Sequence, residues 1–167
     1  ADVAALSLVG QATFLESYAG DLRAADILEH CAVQHGQAQY ARWLADEAYG
    51  LWLAEAQPGD APVGYAVLSQ PDLPVGPEDG DVELKRIYLL HRFQGGGTGA
   101  ALMTTVIEAA RRTGARRMLL GVYGRNEKAI GFYARQGFTQ VGVRQFQVGD
   151  SLFDDLVLGR DLLTPER

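Results

Sequence analysis

Apolar and polar positions recur along this chain with two different periods, and each change of period marks a new element. Over residues 2–18, DVAALSLVGQATFLESY, Leu6, Val9, Phe14 and Leu15 fall at helical spacing, with Asp2 as a candidate cap. Residues 25–34, with Ile27, Leu28 and Cys31, and 37–48, with Tyr40, Trp43 and Leu44, read as two more helices. LWLAEAQPGDAPVGYAVLS then reads as two strands around a Pro-Gly-Asp turn, and QPDLPVGPEDG as a loop. DVELKRIYLL predicts a strand from its β-branched and aromatic residues. In TGAALMTTVIEAARRTG, Leu102, Val106, Ala109 and Ala110 form one helical stripe, and Gly114 stands where a glycine follows a helix. RRMLLGVY predicts a strand and NEKAIGFYARQG a short helix that again ends on glycine. TQVGVRQFQVG and SLFDDLVLGRDL predict two final strands. Helices and strands alternate around a strand–helix–strand crossover, which predicts one layered α/β (α+β) domain over residues 1–167.

Composition narrows the classes. A chain of 167 residues that is 47% hydrophobic has the size and the apolar content for one core. A net charge of -6 and a pI near 5.0 argue against nucleic acid as a partner and are compatible with a cationic small ligand. Cys31 is the single cysteine, so no disulfide framework is expected. With no visible signal peptide and no apolar run near the ~20 residues of a membrane span, a cytoplasmic location without a membrane partner is expected. The chain opens on Ala1 rather than Met.

The stretch RFQGGGTGAALM places Gly95, Gly96, Gly97 and Gly99 between a predicted strand and a predicted helix. Glycine clusters cost backbone entropy and need a reason. The helix that follows begins near Thr98, carries no acid before Glu108 and ends on Arg111 and Arg112. Its free N–H groups and partial positive charge suit a phosphate, and glycines let the phosphate approach. The plain alternative is a sharply bent strand–helix turn. A Walker loop requires Gly-Lys-Ser/Thr, but Ala100 follows Gly99. Gly95, Gly97 and Ala100 fit the G-x-G-x-x-A of a dinucleotide loop, yet no acid closes the next strand near Val122 and Tyr123 to hold a ribose.

Gln94-x-x-Gly97-x-Gly99 is a Q-x-x-G-x-G spacing, and it resembles the acetyl-CoA motif of the GNAT superfamily of N-acetyltransferases. The neighbours extend the likeness: ELKRIYLL precedes the motif, and VYGRNEKAIGFYARQGF supplies the following strand, an Asn opening a helix, and a Gly-Phe close. The resemblance covers residues 62–160, and within the superfamily ELKRIYL, NEKAIGFY and VGDSLFDDLVL look most like bacterial spermidine/spermine N-acetyltransferases. It also implies a strand before DVAAL that this sequence does not contain. What it implies for the fold is a mixed, largely antiparallel central sheet flanked by helices, with a splayed parallel strand pair at the acetyl-CoA site. For the coenzyme, it implies that the N–H groups of Gly95, Gly96, Gly97, Thr98, Gly99 and Ala100 bind the pyrophosphate without a metal. Gln94 belongs to the motif, and the backbone of Ile87, Tyr88 and Leu89 pairs with the pantetheine arm like an added strand.

Asn126 and Tyr133 are seven residues apart, which on a helix is about 700°, nearly one face, and about 10 Å. The resemblance implies that both touch coenzyme A and that Tyr133 protonates its leaving thiolate. Asn126 also reads as a helix N-cap and Tyr133 as a core aromatic. Glu83 stands 11 positions before Gln94, and an extended stretch from 83 to 90 spans roughly 25 Å, comparable to a pantetheine arm. The resemblance places the general base at this strand position in some members. The alternative is a strand acid paired with Lys85, and Glu55 and Asp81 are weaker substitutes.

His30, His35 and His91 show no metal-ligand spacing, so no metal is expected, and Cys31 reads as a small core residue. RRTGARR reads as a solvated helix end. Three functions remain: an acetyl-CoA-dependent N-acetyltransferase acting directly on a primary amine, a non-catalytic acyl-CoA sensor, and a nucleotide-binding oxidoreductase. For the first, Glu78, Asp79, Asp81 and Glu83 form an acidic run suited to a small polycation such as spermidine or spermine. A protein N-terminus, an amino acid or an antibiotic amine is the alternative acceptor, and a homodimer is left open.

Overall fold

The computed structural model describes residues 2–163. Its elements are α1 (Asp2–Tyr18), α2 (Ala24–Gln34), α3 (Gln37–Leu44), β1 (Gly50–Ala56), β2 (Ala61–Ser69), β3 (Asp81–Leu89), a 3-10 turn at His91–Phe93, α4 (Thr98–Arg112), β4 (Arg117–Tyr123), α5 (Glu127–Arg135), β5 (Thr139–Val148) and β6 (Ser151–Asp161). The strands form one six-stranded sheet in the order β1-β2-β3-β4-β6-β5. β3 and β4, joined through α4, run parallel, while β4/β6 and β5/β6 are antiparallel. The mixed sheet flanked by helices is the one expected from the sequence. Contacts divide the chain into two compact units, one of residues up to 67 with 86–103, the other of 68–85 with 104 onward.

In the first unit, α1 and α3 bury Leu6, Val9, Tyr40 and Trp43 against Tyr65 and Val67 of β2, with Tyr49, Leu51 and Leu53 packed beside them. Large side chains removed from water contribute roughly 1.5–3 kcal/mol each. Three positions depart from the expected stripes: Leu15, Leu28 and Leu44 are exposed. α3 also stops at Leu44 rather than at residue 48. The carboxylate of Asp46 accepts from the Ala48 amide at 2.9 Å, a local turn that competes with another helical turn.

The second unit holds the β4–β6–β5 ladder and α5. β5 and β6 join at Gly149-Asp150, between the paired Val148 and Ser151, and Gly149 has φ +56. A two-residue hairpin that takes glycine first is the pattern of a type II′ turn. Leu73 and Val75 of the preceding loop pack on Leu119 and Val157. Two helix ends carry the same device. The Ala115 and Gly114 amides return to Ala110 and Arg111, and those of Phe138 and Gly137 return to Tyr133 and Ala134. Both glycines have left-handed φ, +81 and +80, as the Schellman close requires. Along α4 the buried stripe is Leu102, Met103, Val106, Ile107 and Ala110. Ala109, expected on it, is half-buried.

Candidate active site

The glycine loop lies in the first unit. After β3 the chain makes its 3-10 turn, anchored by the His91 amide on the Glu16 carboxylate at 2.9 Å and by Gln94 Nε2 on the Leu89 carbonyl at 3.0 Å. Gly95 and Gly97 have φ of +84 and +89, a backbone that side chains rarely adopt. Gly96 is not left-handed. A Cβ on any of the three would meet nothing within 4 Å, and all three are exposed. Packing therefore does not require glycine at 96, and the space above it is open to an incoming group. The first helical amide to reach a carbonyl is that of Ala101, on Gly97 at 3.0 Å. The N–H groups of Thr98, Gly99 and Ala100 precede it, at the positive end of a helix with no acid in its first turn and Arg111 and Arg112 in its last. Exposed amides at the positive end of a helix are an arrangement that can take an anion.

Ile87, Tyr88 and Leu89 close β3 in the same unit, and Tyr88 stacks on Tyr65 at 6.0 Å. Just before them, Arg86 is gripped from α2 and α3. Its Nη1 donates to Tyr40 Oη at 2.9 Å and to the Gln34 carbonyl at 3.0 Å, and its guanidinium lies 4.7 Å from the Trp43 ring. Burial, and then the Arg86 charge, push His35 down to about 2 and His30 down to about 4, so both rings are neutral near pH 7. The sequence reading passed over Arg86. Its signal was a long cation on a strand, out of step with the apolar alternation.

Glu83, Asn126 and Tyr133 belong to the second unit. Glu83 is 3% exposed, not a solvated strand acid. Its Oε2 accepts from the Asp72 amide at 2.7 Å, and Oε1 lies 3.8 Å from Lys85 Nζ. It sits at the last registered pair of the parallel ladder, Asp81–Arg117, Val82–Met118 and Glu83–Leu119. The acidic run around it is internally compensated. Asp81 is held by two hydrogen bonds from Arg117, at 2.9 and 2.6 Å, and Glu78 Oε1 lies 3.9 Å from the same guanidinium. Arg117 thereby holds the Asp81 carboxyl below the usual carboxylate range. It also draws one end of RRTGARR out of the solvated role expected for it. A second arginine of that cluster, Arg111, donates Nε to the Leu162 carbonyl at 3.0 Å.

Asn126 caps α5, its Oδ1 accepting from the Ala129 amide at 3.1 Å. Tyr133 is buried edge-on against Phe132 and Phe138, with ring centroids 5.5 and 5.9 Å away. Cys31 is buried, and burial raises its thiol pKa, which suits packing rather than nucleophilic attack. Among the described residues, no three His, Cys, Asp or Glu form a group that could hold a metal ion. No described helix is long and apolar enough to cross a membrane.

A cleft of about 860 Å³ opens over the ends of β4, β5 and β6, lined among others by Tyr123, Arg125, Arg144, Phe153 and Asp155. The sequence reading missed it, although folding the hairpin about Gly149-Asp150 sets Arg144 opposite Asp155.

Known proteins share this fold. A solved PaiA N-acetyltransferase from Thermoplasma acidophilum, in complex with coenzyme A, has the same fold, with a TM-score of 0.74 at 18% identity over 96% of this chain and 92% of that one. A nourseothricin acetyltransferase structure gives a TM-score of 0.60 at 26% identity, over 70% of this chain and 67% of the other. An uncharacterized N-acetyltransferase of Mycobacterium tuberculosis (strain ATCC 25618 / H37Rv) is 38% identical over 126 residues, 75% of this chain and 76% of the relative. The acetyltransferase (GNAT) family matches residues 15–138, across the anchored strand, the glycine cradle and α5, and the chain belongs to that family of N-acetyltransferases.

Proposed function

We propose that the protein transfers an acetyl group from acetyl-CoA directly to a primary amine. The observation that carries the reading is the cradle at α4: three exposed glycines with nothing near their Cβ positions, leading into an acid-free helix N-terminus. In this reading the N–H groups of residues 95–100 hold the pyrophosphate, Ile87–Leu89 pair with pantetheine, and Asn126 and Tyr133 face the coenzyme. The amine nitrogen attacks the thioester carbonyl, the C–S bond breaks, and the thiolate takes a proton from Tyr133. Glu83, directly or through water, accepts the proton that the ammonium must lose before attack. No acetyl-enzyme is needed, and Cys31 plays no part.

Spermidine and spermine are the acceptors favoured by the sequence resemblance. An amino acid, a protein N-terminus or an antibiotic amine is the second class, and the ion pairs around Arg117 favour it. With Asp81 and Glu78 facing Arg117, the acidic run attracts a polycation less than its sequence suggests.

Gly96→Asp tests the coenzyme reading, because position 96 takes a side chain without left-handed strain, whereas Gly97 does not. The carboxylate would stand against the phosphates, and acetyl-CoA affinity by calorimetry should fall more than tenfold, about 1.4 kcal/mol or more. Unchanged affinity in the folded variant overturns the cradle.

A further inference from the structure

The cleft over β4, β5 and β6 holds a guanidinium that the structure fixes in place but leaves partly unused. Tyr123 pairs with Asp155 and Asp155 with Arg144, so the three form one row across the ladder. The next row on the same face is Gly121, Val157 and Gly142. Arg144 Nε donates to Asp155 Oδ2 at 3.3 Å. From there the guanidinium folds back over Gly121, where a Cβ would stand 2.5 Å from Nη2 and 2.6 Å from Cζ. Only glycine at 121 leaves it that place. Asp155 is 4% exposed, and its Oδ1 has no hydrogen-bond partner among the described residues, so its charge is turned toward this one arginine and away from solvent. Neither Nη group of Arg144 donates a hydrogen bond within the described residues, and the side chain is 25% exposed. Strand alternation turns Asp154, paired with Gln145, away from Arg144, although Asp154 also lines the cleft, and Arg125 lines it as a second cation, so the two arginines outnumber the one acid there that has no arginine hydrogen-bonded to it.

The ladder register relates Gly121, beneath this guanidinium, to Glu83, which does not itself line the cleft. Glu83 pairs with Leu119, and Gly121 lies two residues further along β4, so all three share one face. Two residues along a strand and one strand across amount to roughly 8 Å between the Cα positions of Glu83 and Gly121. A planar fork with both Nη groups available suits a carboxylate or a similar oxyanion, bound through two N–H···O contacts.

We propose that Arg144, propped on Gly121 and steadied by Asp155, binds an oxyanion of the acceptor, so that the acceptor is a small amine carrying a carboxylate or comparable anion a few bonds from the reacting nitrogen. This rests on the acetyltransferase reading, with the amine at Glu83. It separates amino-acid-like acceptors from polyamines, which have no group for the fork to hold.

The test is a thiol-release assay with acetyl-CoA and, as acceptors, the proteinogenic amino acids, their carboxamides and spermidine. Acetyl-CoA binding is measured beside it without any amine. For at least one amino acid, kcat/KM should exceed that of its carboxamide by roughly tenfold or more, since a site built to pair a group rejects the analogue lacking it. Arg144→Gln should bring that ratio near one, mainly through KM, with acetyl-CoA affinity unchanged; Arg144→Lys should restore part of it. Arg144→Gln leaves Asp155 buried without its cation, so Arg144→Gln with Asp155→Asn provides a second, neutral pair in which the same loss is expected. A wild-type ratio near one, better turnover of carboxamides or spermidine, or turnover of none of the amino acids overturns the proposal, whatever the variants do. Loss of acetyl-CoA binding in the wild type is a different failure, and it strikes the coenzyme reading instead.

Discussion

Tyr133 and Asp81 illustrate how one residue's surroundings change what its identity suggests. Tyr133 packs as a core aromatic against Phe132 and Phe138, and packing alone would justify it. Tyr133→Phe separates the two roles, since it keeps the ring and removes the proton. If Tyr133 is the general acid, turnover should fall by roughly 10²–10⁴ while acetyl-CoA affinity holds. Full turnover, with chemistry shown to be rate-limiting, would leave it only the packing role. Asp81 was legible in sequence as an acid but not as a paired one. Its partner, Arg117, is 36 positions away and comes beside it only through the parallel register. Sequence patterning sees neighbours at two, three and four residues; it does not see ion pairs made by topology.

At the level of elements, the helices and strands were readable because glycine, proline and the apolar period mark them locally. Two of the helix ends follow this rule closely. Gly114 and Gly137 close α4 and α5 in left-handed backbone, and the returning amides satisfy the last carbonyls. Gly114→Ala or Gly137→Ala should each cost about 1–2 kcal/mol in chemical denaturation, the penalty of a Cβ in that conformation. Gly96→Ala has no such backbone and should be near neutral, a contrast measurable on one denaturation series. The misreadings were local too. Asp46 ended α3 early by turning its carboxylate onto the backbone, and apolar residues at helical spacing such as Leu28 remained in water. Apolar spacing identifies a candidate face; whether anything covers it is settled by the rest of the chain. Arg86 and Arg144 escaped for a related reason: each is a surface residue by type and is bound by partners from other elements.

Over the whole molecule, acid should unfold this protein from the first unit. His30 and His35 ordinarily titrate near 6.5 but are held down to about 4 and about 2. Above pH 6.5 both states are neutral there. As pH falls from 6.5 toward 4, the unfolded chain binds protons that the folded chain refuses, so stability declines. Asp81, held low by Arg117, loses its contribution as pH falls from the ordinary carboxylate value of 3.8 through its own lower one, and Asp155, raised by burial, works in the opposite direction. Thermal melts should show a lower Tm at pH 5 than at pH 7. His35→Asn, although less stable at both, should narrow the gap; an unchanged gap would remove His35 as a cause. The two units also bear on how the chain is made. Each is assembled from two separated stretches, and the divisions fall inside β2, inside β3 and inside α4. A ribosome delivers residues in order, so the first unit lacks residues 86–103 until all of 68–85, which belong to the other, have emerged. Neither unit can be finished before the other is begun, and no single cut in the coding sequence yields either one alone.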